Sequence, residues 1–206
     1  MVLTLYEIKP RFQALLRPLV ERLASAGVTA NVVTTLACAA SIAVGTVAAA
    51  FAEHREIFLL LPVWFFARMA LNAIDGMLAR DFGQKSALGA YLNELTDVVS
   101  DLAMYLPFAR VAPFDLAAVG AVAFAACVSE MAGALAPMVG AARRYDGPMG
   151  KSDRALVFGA LGLWIGVGGP LPPIAAWLMW IVVALIVCNV VNRVRRGVKA
   201  APERKS

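Results

Sequence analysis

Cysteine is scarce in this chain. Cys38, Cys127 and Cys188 are the three present among 206 residues. All three lie inside apolar runs, and their spacing matches neither a metal site nor a disulfide framework, so they read as small apolar filler. Histidine is scarcer still: His54 stands alone in a short loop and reads as a solvated side chain. The sequence has no internal repeat, low-complexity tract or second domain. A secretory leader is not expected either. The first apolar run starts near residue 30, behind a basic amphipathic segment, and no small-residue cleavage site follows a short apolar core. The basic excess is modest, 19 Lys and Arg against 14 Asp and Glu. It falls in connections between apolar runs rather than on one face, which argues against a nucleic-acid partner.

What is present is apolar length. Hydrophobic residues make up 61% of the chain and mean hydropathy is +0.73, whereas soluble domains sit near about 45–50% apolar. Runs of roughly twenty apolar residues match the ~30 Å hydrocarbon layer of a bilayer. The expected fold is all-α and integral to the membrane. Its six transmembrane helices fall at about 30–52, 57–80, 87–111, 114–141, 152–169 and 171–192. Residues 1–206 form one membrane domain: an interfacial amphipathic helix within 1–28, a six-span bundle over 29–195 and a basic tail over 196–206. In the first of these, Phe12, Leu15, Leu16, Leu19, Val20 and Leu23 recur at helical spacing, with Arg11, Arg17, Glu21 and Arg22 off the stripe. That helix lies either in the lipid interface or packed on the rest of the protein, and its basic flanks favour the interface. Gly27 breaks the pattern and Thr29 offers an N-cap.

Basic residues set the orientation. Sixteen of the 19 lie in the N-terminal segment, around the second-to-third and fourth-to-fifth connections, and in the C-terminal tail that includes Arg204 and Lys205. The opposite loops hold Arg55 and Arg110, and Arg68 lies within a span. The positive-inside rule makes the richer side cytoplasmic, with both termini on it, in a bacterial-type inner membrane. Trp64, Trp164, Trp177 and Trp180 are expected to face lipid or anchor at its interface.

One stretch is too polar for its surroundings. The second span ends Asn72-Ala73-Ile74-Asp75-Gly76-Met77-Leu78-Ala79-Arg80, and the third holds Asn93, Glu94, Asp97 and Asp101. At ~100° per residue, Asn72, Asp75, Gly76 and Ala79 share one helix face, and Asn93, Glu94, Asp97 and Asp101 share another. A short connection makes the two helices antiparallel neighbours, so the polar faces can meet near the cytoplasmic surface. Ionisable groups in spans are costly and mark either a site or a hydrogen-bonded seam. Oxygen-only donors suit Mg²⁺ or Mn²⁺, a cation that commonly shares its shell with phosphates. Gly76 and Ala79 leave room for a bulky ligand.

The arrangement Asp75-Gly76-x-x-Ala79-Arg80, eight residues, Gly89, three residues, Asn93, three residues, Asp97 resembles the signature of the CDP-alcohol phosphatidyltransferase family. The interfacial helix, six spans, cytoplasmic termini and the polar lead-in Val28 to Thr34 are similar to that family as well. The resemblance implies a metal-dependent transferase of phospholipid synthesis. Such an enzyme is a homodimer among membrane lipids and moves a phosphatidyl group from CDP-diacylglycerol to an alcohol acceptor, releasing CMP. It implies that Asp97 is the general base and that Asp75 and Asp97 ligate the metal. Asn72 and Asn93 stand at the two motif positions where the family has further aspartates, so the chain resembles a divergent member. Glu94 and Asp101, on the same face, are candidates to restore the missing charge. Gly76, Ala79, Arg80 and Gly89 would shape the nucleotide side.

The fourth-to-fifth connection holds Arg143, Arg144, Lys151 and Arg154. Gly150-Lys151, opening the fifth span, is similar to the family's Gly-Lys at this place. The cluster reads either as a pocket for an acceptor's or donor's phosphate or as positive-inside charge meeting lipid head groups. Arg68 is expected to be structural, and Glu130, mid-span in the fourth helix, either lines a cavity or pairs with a neighbour. Two other functions compete with transfer. One is an impaired relative that binds nucleotide or lipid without turnover, motivated by Asn72 and Asn93. The weaker one is a small transporter, which the off-centre polar cluster and missing inverted repeat disfavour.

Overall fold

The computed structural model describes the backbone of residues 5–202 and the side chains of residues 10–202. Arg204 and Lys205 of the expected tail lie outside the described residues. Seven α-helices make up the described chain, joined by short turns and four 3₁₀ segments: α1 Leu5–Ser25, α2 Ala30–Ala50, α3 Leu60–Asp81, α4 Ala87–Tyr105, α5 Leu116–Ala134, α6 Lys151–Gly166 and α7 Trp177–Ala200. No strand occurs among the described residues.

Four helical stretches are long and apolar enough to cross a membrane: Ala30–Ala50, Arg55–Asp81, Leu116–Val139 and Pro173–Ala200. The fourth and sixth helices fall short for different physical reasons. α4 has 19 residues but carries Glu94, Asp97 and Asp101. α6 has 16 residues, about 24 Å at 1.5 Å per residue, which is less than a ~30 Å hydrocarbon layer.

The N-terminal helix packs on α3 along one side and leaves apolar residues exposed on the other. Val20 is fully buried and packs with Ile74, Met77 and Leu78 of α3, while Leu15 and Leu19 remain exposed. Its end follows the sequence closely. Gly27 takes a left-handed φ of 76°, and the Val28 N–H reaches back to the Leu23 carbonyl at 2.9 Å, closing the last turn as a C-terminal glycine does. Thr29 then caps α2 by accepting from the Val32 N–H at 3.3 Å.

Small residues let the helices approach. Ala37, Ser41, Gly45 and Ala48 form a buried stripe along α2, and a Cβ on Gly45 would collide with the Ala103 carbonyl of α4. Such stripes substitute backbone proximity for the hydrophobic drive that lipid removes. Trp64 also turns inward, donating its indole N–H to Ser41 Oγ at 2.9 Å, whereas Trp164, Trp177 and Trp180 are exposed. An aromatic stack closes the core, with the Tyr105 and Phe158 rings 4.2 Å apart.

The last helix runs past its expected end at 192 to Ala200. Its buried stripe Met179, Val182, Ile186, Asn189, Arg193 carries a charge into the interior. Arg193, expected beyond the end of the span as cytoplasmic charge, is therefore a core residue, 2% exposed.

Candidate active site

The turn between α3 and α4 brings the two polar faces together. Ser86 caps α4, accepting from the Gly89 N–H at 2.9 Å. Gln84 in this turn accepts from the Ala30 N–H at 2.7 Å and donates to the Val28 carbonyl at 3.4 Å. One carboxamide thus fastens the start of α2 to the motif turn. That contact places Thr34 beside α3, where its hydroxyl donates to Asp75 Oδ2 at 2.7 Å.

A cleft of about 660 Å³ opens between these elements. Asp75, Gly76, Ala79 and Arg80 line it from α3, Gly89, Asn93 and Glu94 from α4, and Asn31 and Thr34 from α2. A side chain at Gly76 would meet the Arg80 guanidinium, and one at Gly89 would meet the Asn31 carboxamide. Among the described residues, Arg80 and Lys85 line the cleft without an ion-pair partner.

Asp97 sits behind the cleft, paired with Lys151 and with Arg68 Nη2 at 3.3 Å. The two α4 acids weighed as extra metal ligands point into ion pairs. Glu94 takes Arg143 at 2.6 Å. Asp101, 3% exposed, accepts from Arg68, from Arg154 Nη2 at 3.1 Å and from the Tyr105 hydroxyl at 3.0 Å. Arg154 has no exposed surface. Besides Asp101 it donates to Glu130 at 2.9 Å, the Met149 carbonyl at 3.1 Å and the Tyr105 oxygen at 3.3 Å. Glu130 also pairs with Arg143 at 3.3 Å and Arg193 at 3.4 Å. Arg144 lies apart from this network: it shares Asp146 with Arg196, each at 2.7 Å.

Two groups of the 141–150 connection are electrostatically committed. Burial opposes the charge on Arg143, but the hydrogen bond and charge of Glu94 outweigh it and hold the guanidinium protonated beyond its ordinary range. Slight burial likewise pushes the Asp146 carboxyl up, and the bonds from Arg144 and Arg196 reverse this and hold it below the usual carboxylate range.

By residue type the motif donors are of the kind a hard divalent cation takes. Asp75 and Asp97 with the amide oxygens of Asn72 and Asn93 are oxygen-only donors bringing two negative charges. Among the described residues, no three acidic, histidine or cysteine side chains converge as a metal-binding group. The sequence did not reveal the cation partners of Asp97, Asp101 and Glu130. For Arg193 the signal existed, since it continues the apolar stripe of α7 at helical spacing. For Thr34 and Asn31 it lay in the polar lead-in to α2.

The family model for CDP-alcohol phosphatidyltransferase matches residues 27–188. The chain is 44% identical over 196 residues to the inner membrane protein YnbA of Escherichia coli (strain K12), covering 94% of this chain and 96% of the relative. Its fold is similar to crystal structures of Mycobacterium tuberculosis phosphatidylinositol phosphate synthase (PgsA1). The form with CDP-DAG bound gives a TM-score of 0.73 at 24% identity over 92% of this chain and 97% of that one. The form in complex with manganese and citrate gives 0.72 at 23% identity over 92% of each chain.

Proposed function

This chain belongs to the CDP-alcohol phosphatidyltransferase family, and from that membership we propose that it moves the phosphatidyl group of CDP-diacylglycerol to an alcohol hydroxyl and releases CMP. The observation that carries the reading is the cleft itself. Asp75, Gly76, Ala79, Arg80, Gly89 and Asn93, all residues of the two-helix motif, line one open volume. Arg80 and Lys85 supply its unpaired positive charge, as a pyrophosphate ligand requires.

In this reading Gly76 and Ala79 admit the nucleotide and Arg80 and Lys85 hold its phosphates. Asp75 and Asp97, with the amides of Asn72 and Asn93, would hold one divalent cation, Mg²⁺ or Mn²⁺, which when bound neutralises charge on the pyrophosphate. Thr34 fixes the carboxylate of Asp75, and Arg68 and Lys151 fix that of Asp97. The acceptor hydroxyl attacks the phosphorus attached to diacylglycerol, Asp97 takes its proton, and the bond to CMP breaks. Most of the rate gain comes from this positioning.

The fold reading extends to six spans, with α4 and α6 crossing inside the bundle where their charges are paired. The charge asymmetry supports cytoplasmic termini and a cytoplasmic cleft in an inner membrane. The homodimer implied by the resemblance belongs to the same reading.

The test is CMP release from CDP-diacylglycerol by the purified full chain with pooled alcohols and Mg²⁺ or Mn²⁺, with lipid products read by mass spectrometry. Turnover that Asp97→Asn lowers by about 10²–10⁴-fold supports the assignment. CMP binding without turnover under every condition would establish instead the non-catalytic relative that Asn72 and Asn93 favour.

A further inference from the structure

The arginines that lie beyond Glu94 at the cleft wall already have carboxylate partners, and this bears on which alcohol the site accepts. Arg143, Arg154 and Arg193, from the 141–150 connection, α6 and α7, converge on the single carboxylate of Glu130. Glu130 Oε1 faces Arg154, and its Oε2 faces Arg143 and Arg193. A carboxylate among three guanidinium groups takes the place that a phosphate would otherwise fill. Arg154 could not turn toward a ligand without abandoning partners, because each of its three nitrogens already donates within the core. Arg143 is held a second time by Glu94 at the cleft wall. Lys151 pairs with Asp97, the reacting carboxylate, and so belongs to the transfer step. Among the described residues, the cations that line the cleft without an ion-pair partner are Arg80 and Lys85, on the proposed nucleotide side.

We propose that the acceptor is an uncharged alcohol or polyol carrying no phosphate, and that Glu130 sets this preference by engaging Arg143, Arg154 and Arg193. The proposal rests on the phosphatidyl-transfer reading. The step balances: the acceptor oxygen forms a bond to the phosphatidyl phosphorus, its proton passes to Asp97, and the phosphorus–oxygen bond to CMP breaks with its electron pair leaving on CMP. No oxidant or further co-reactant is needed.

The experiment compares matched acceptor pairs on the full chain in detergent with CDP-diacylglycerol: glycerol against glycerol 3-phosphate, and myo-inositol against inositol 1-phosphate. The expected result is at least tenfold higher kcat/KM for the unphosphorylated member of a pair. A preference of that size for the phosphorylated member overturns the proposal while leaving phosphatidyl transfer intact. CMP release with no acceptor of either kind removes the transfer reading itself, and this proposal with it. A second arm does not need turnover. Thermal unfolding with glycerol 3-phosphate, against sodium chloride of equal ionic strength, is expected to leave the wild-type midpoint unchanged and to raise that of Glu130→Gln. Stabilisation of the wild type by the phosphate overturns the proposal even if the variant does not fold.

Discussion

The hydroxyl of Thr34 donates to the buried carboxylate of Asp75 at 2.7 Å, joining the first turns of α2 to the motif helix α3. A hydrogen bond to a charged group contributes about 1.5–3 kcal/mol, and here it also aims a carboxylate of the proposed metal site. Thr34→Ala is expected to lower kcat/KM for CMP release on the order of tenfold or more, while Thr34→Ser keeps most of it. Steady-state kinetics of the two variants check this. Equal activity in both would show that Asp75 is positioned by other groups.

Metal stoichiometry offers a second check. With amides at positions 72 and 93, one Mn²⁺ per chain is expected by calorimetric or spin-resonance titration, and chelation should abolish turnover. The double substitution Asn72→Asp and Asn93→Asp adds two charges and is expected to tighten cation binding on the order of tenfold or more, since ligand charge count tunes the affinity of hard-cation sites. Unchanged affinity in the double variant would place the cation elsewhere.

Removing the cation at the centre of the buried network should unfold the protein readily. Arg154→Met leaves Asp101 and Glu130 each short of a partner, a loss that costs about 3–5 kcal/mol when a buried pair is broken. A markedly lower thermal midpoint in detergent is the expected outcome. Adding Glu130→Gln should recover part of it, because contacting groups are not additive. Arg154→Lys is expected to fall near Arg154→Met, since one ammonium cannot span the separate partners that the guanidinium fork reaches.

The Asp146 clamp predicts a pH effect of definite sign. Its folded carboxyl is held below the ordinary range, so its contribution is present above the unfolded pKa, near about 3.9, and is lost as pH falls through the folded value. The difference in thermal midpoint between wild type and Asp146→Asn should therefore be constant near neutrality and shrink below about pH 4. The pair with Arg196 is largely solvated, so the effect is expected to stay within about 1 kcal/mol.

Local chemistry was legible in the sequence where a few neighbouring residues decide the outcome. Gly27 and Thr29 ended one helix and began the next as their conformational preferences require, and the spacing of Asp75 and Asp97 pointed to the two helices that meet. Partnership across the bundle was not legible. Glu94 and Asp101 lie on the same face as Asp97, and helical spacing places a side chain on a face without saying which cation waits there. The class of Trp64 predicts a lipid-facing or interfacial aromatic, but Ser41 on α2 offers its indole a buried acceptor. Arg193 follows the last apolar run as terminal charge would, and only its helical spacing from Ile186 and Asn189 marks it as continuing a buried stripe.

The pairing of Arg154 with Asp101 and Glu130 also bears on how such a chain is made. In a six-span arrangement, α4 and α6 would reach the bilayer carrying Asp101 and Arg154, whose partners lie on other helices. Neither helix is a good candidate to partition into lipid on its own, since each bears charges that hydrocarbon disfavours by several kcal/mol apiece. Membrane insertion and tertiary assembly would then be coupled events during biosynthesis. Arg154→Met should therefore lower the yield of membrane-integrated chain as well as its thermal midpoint.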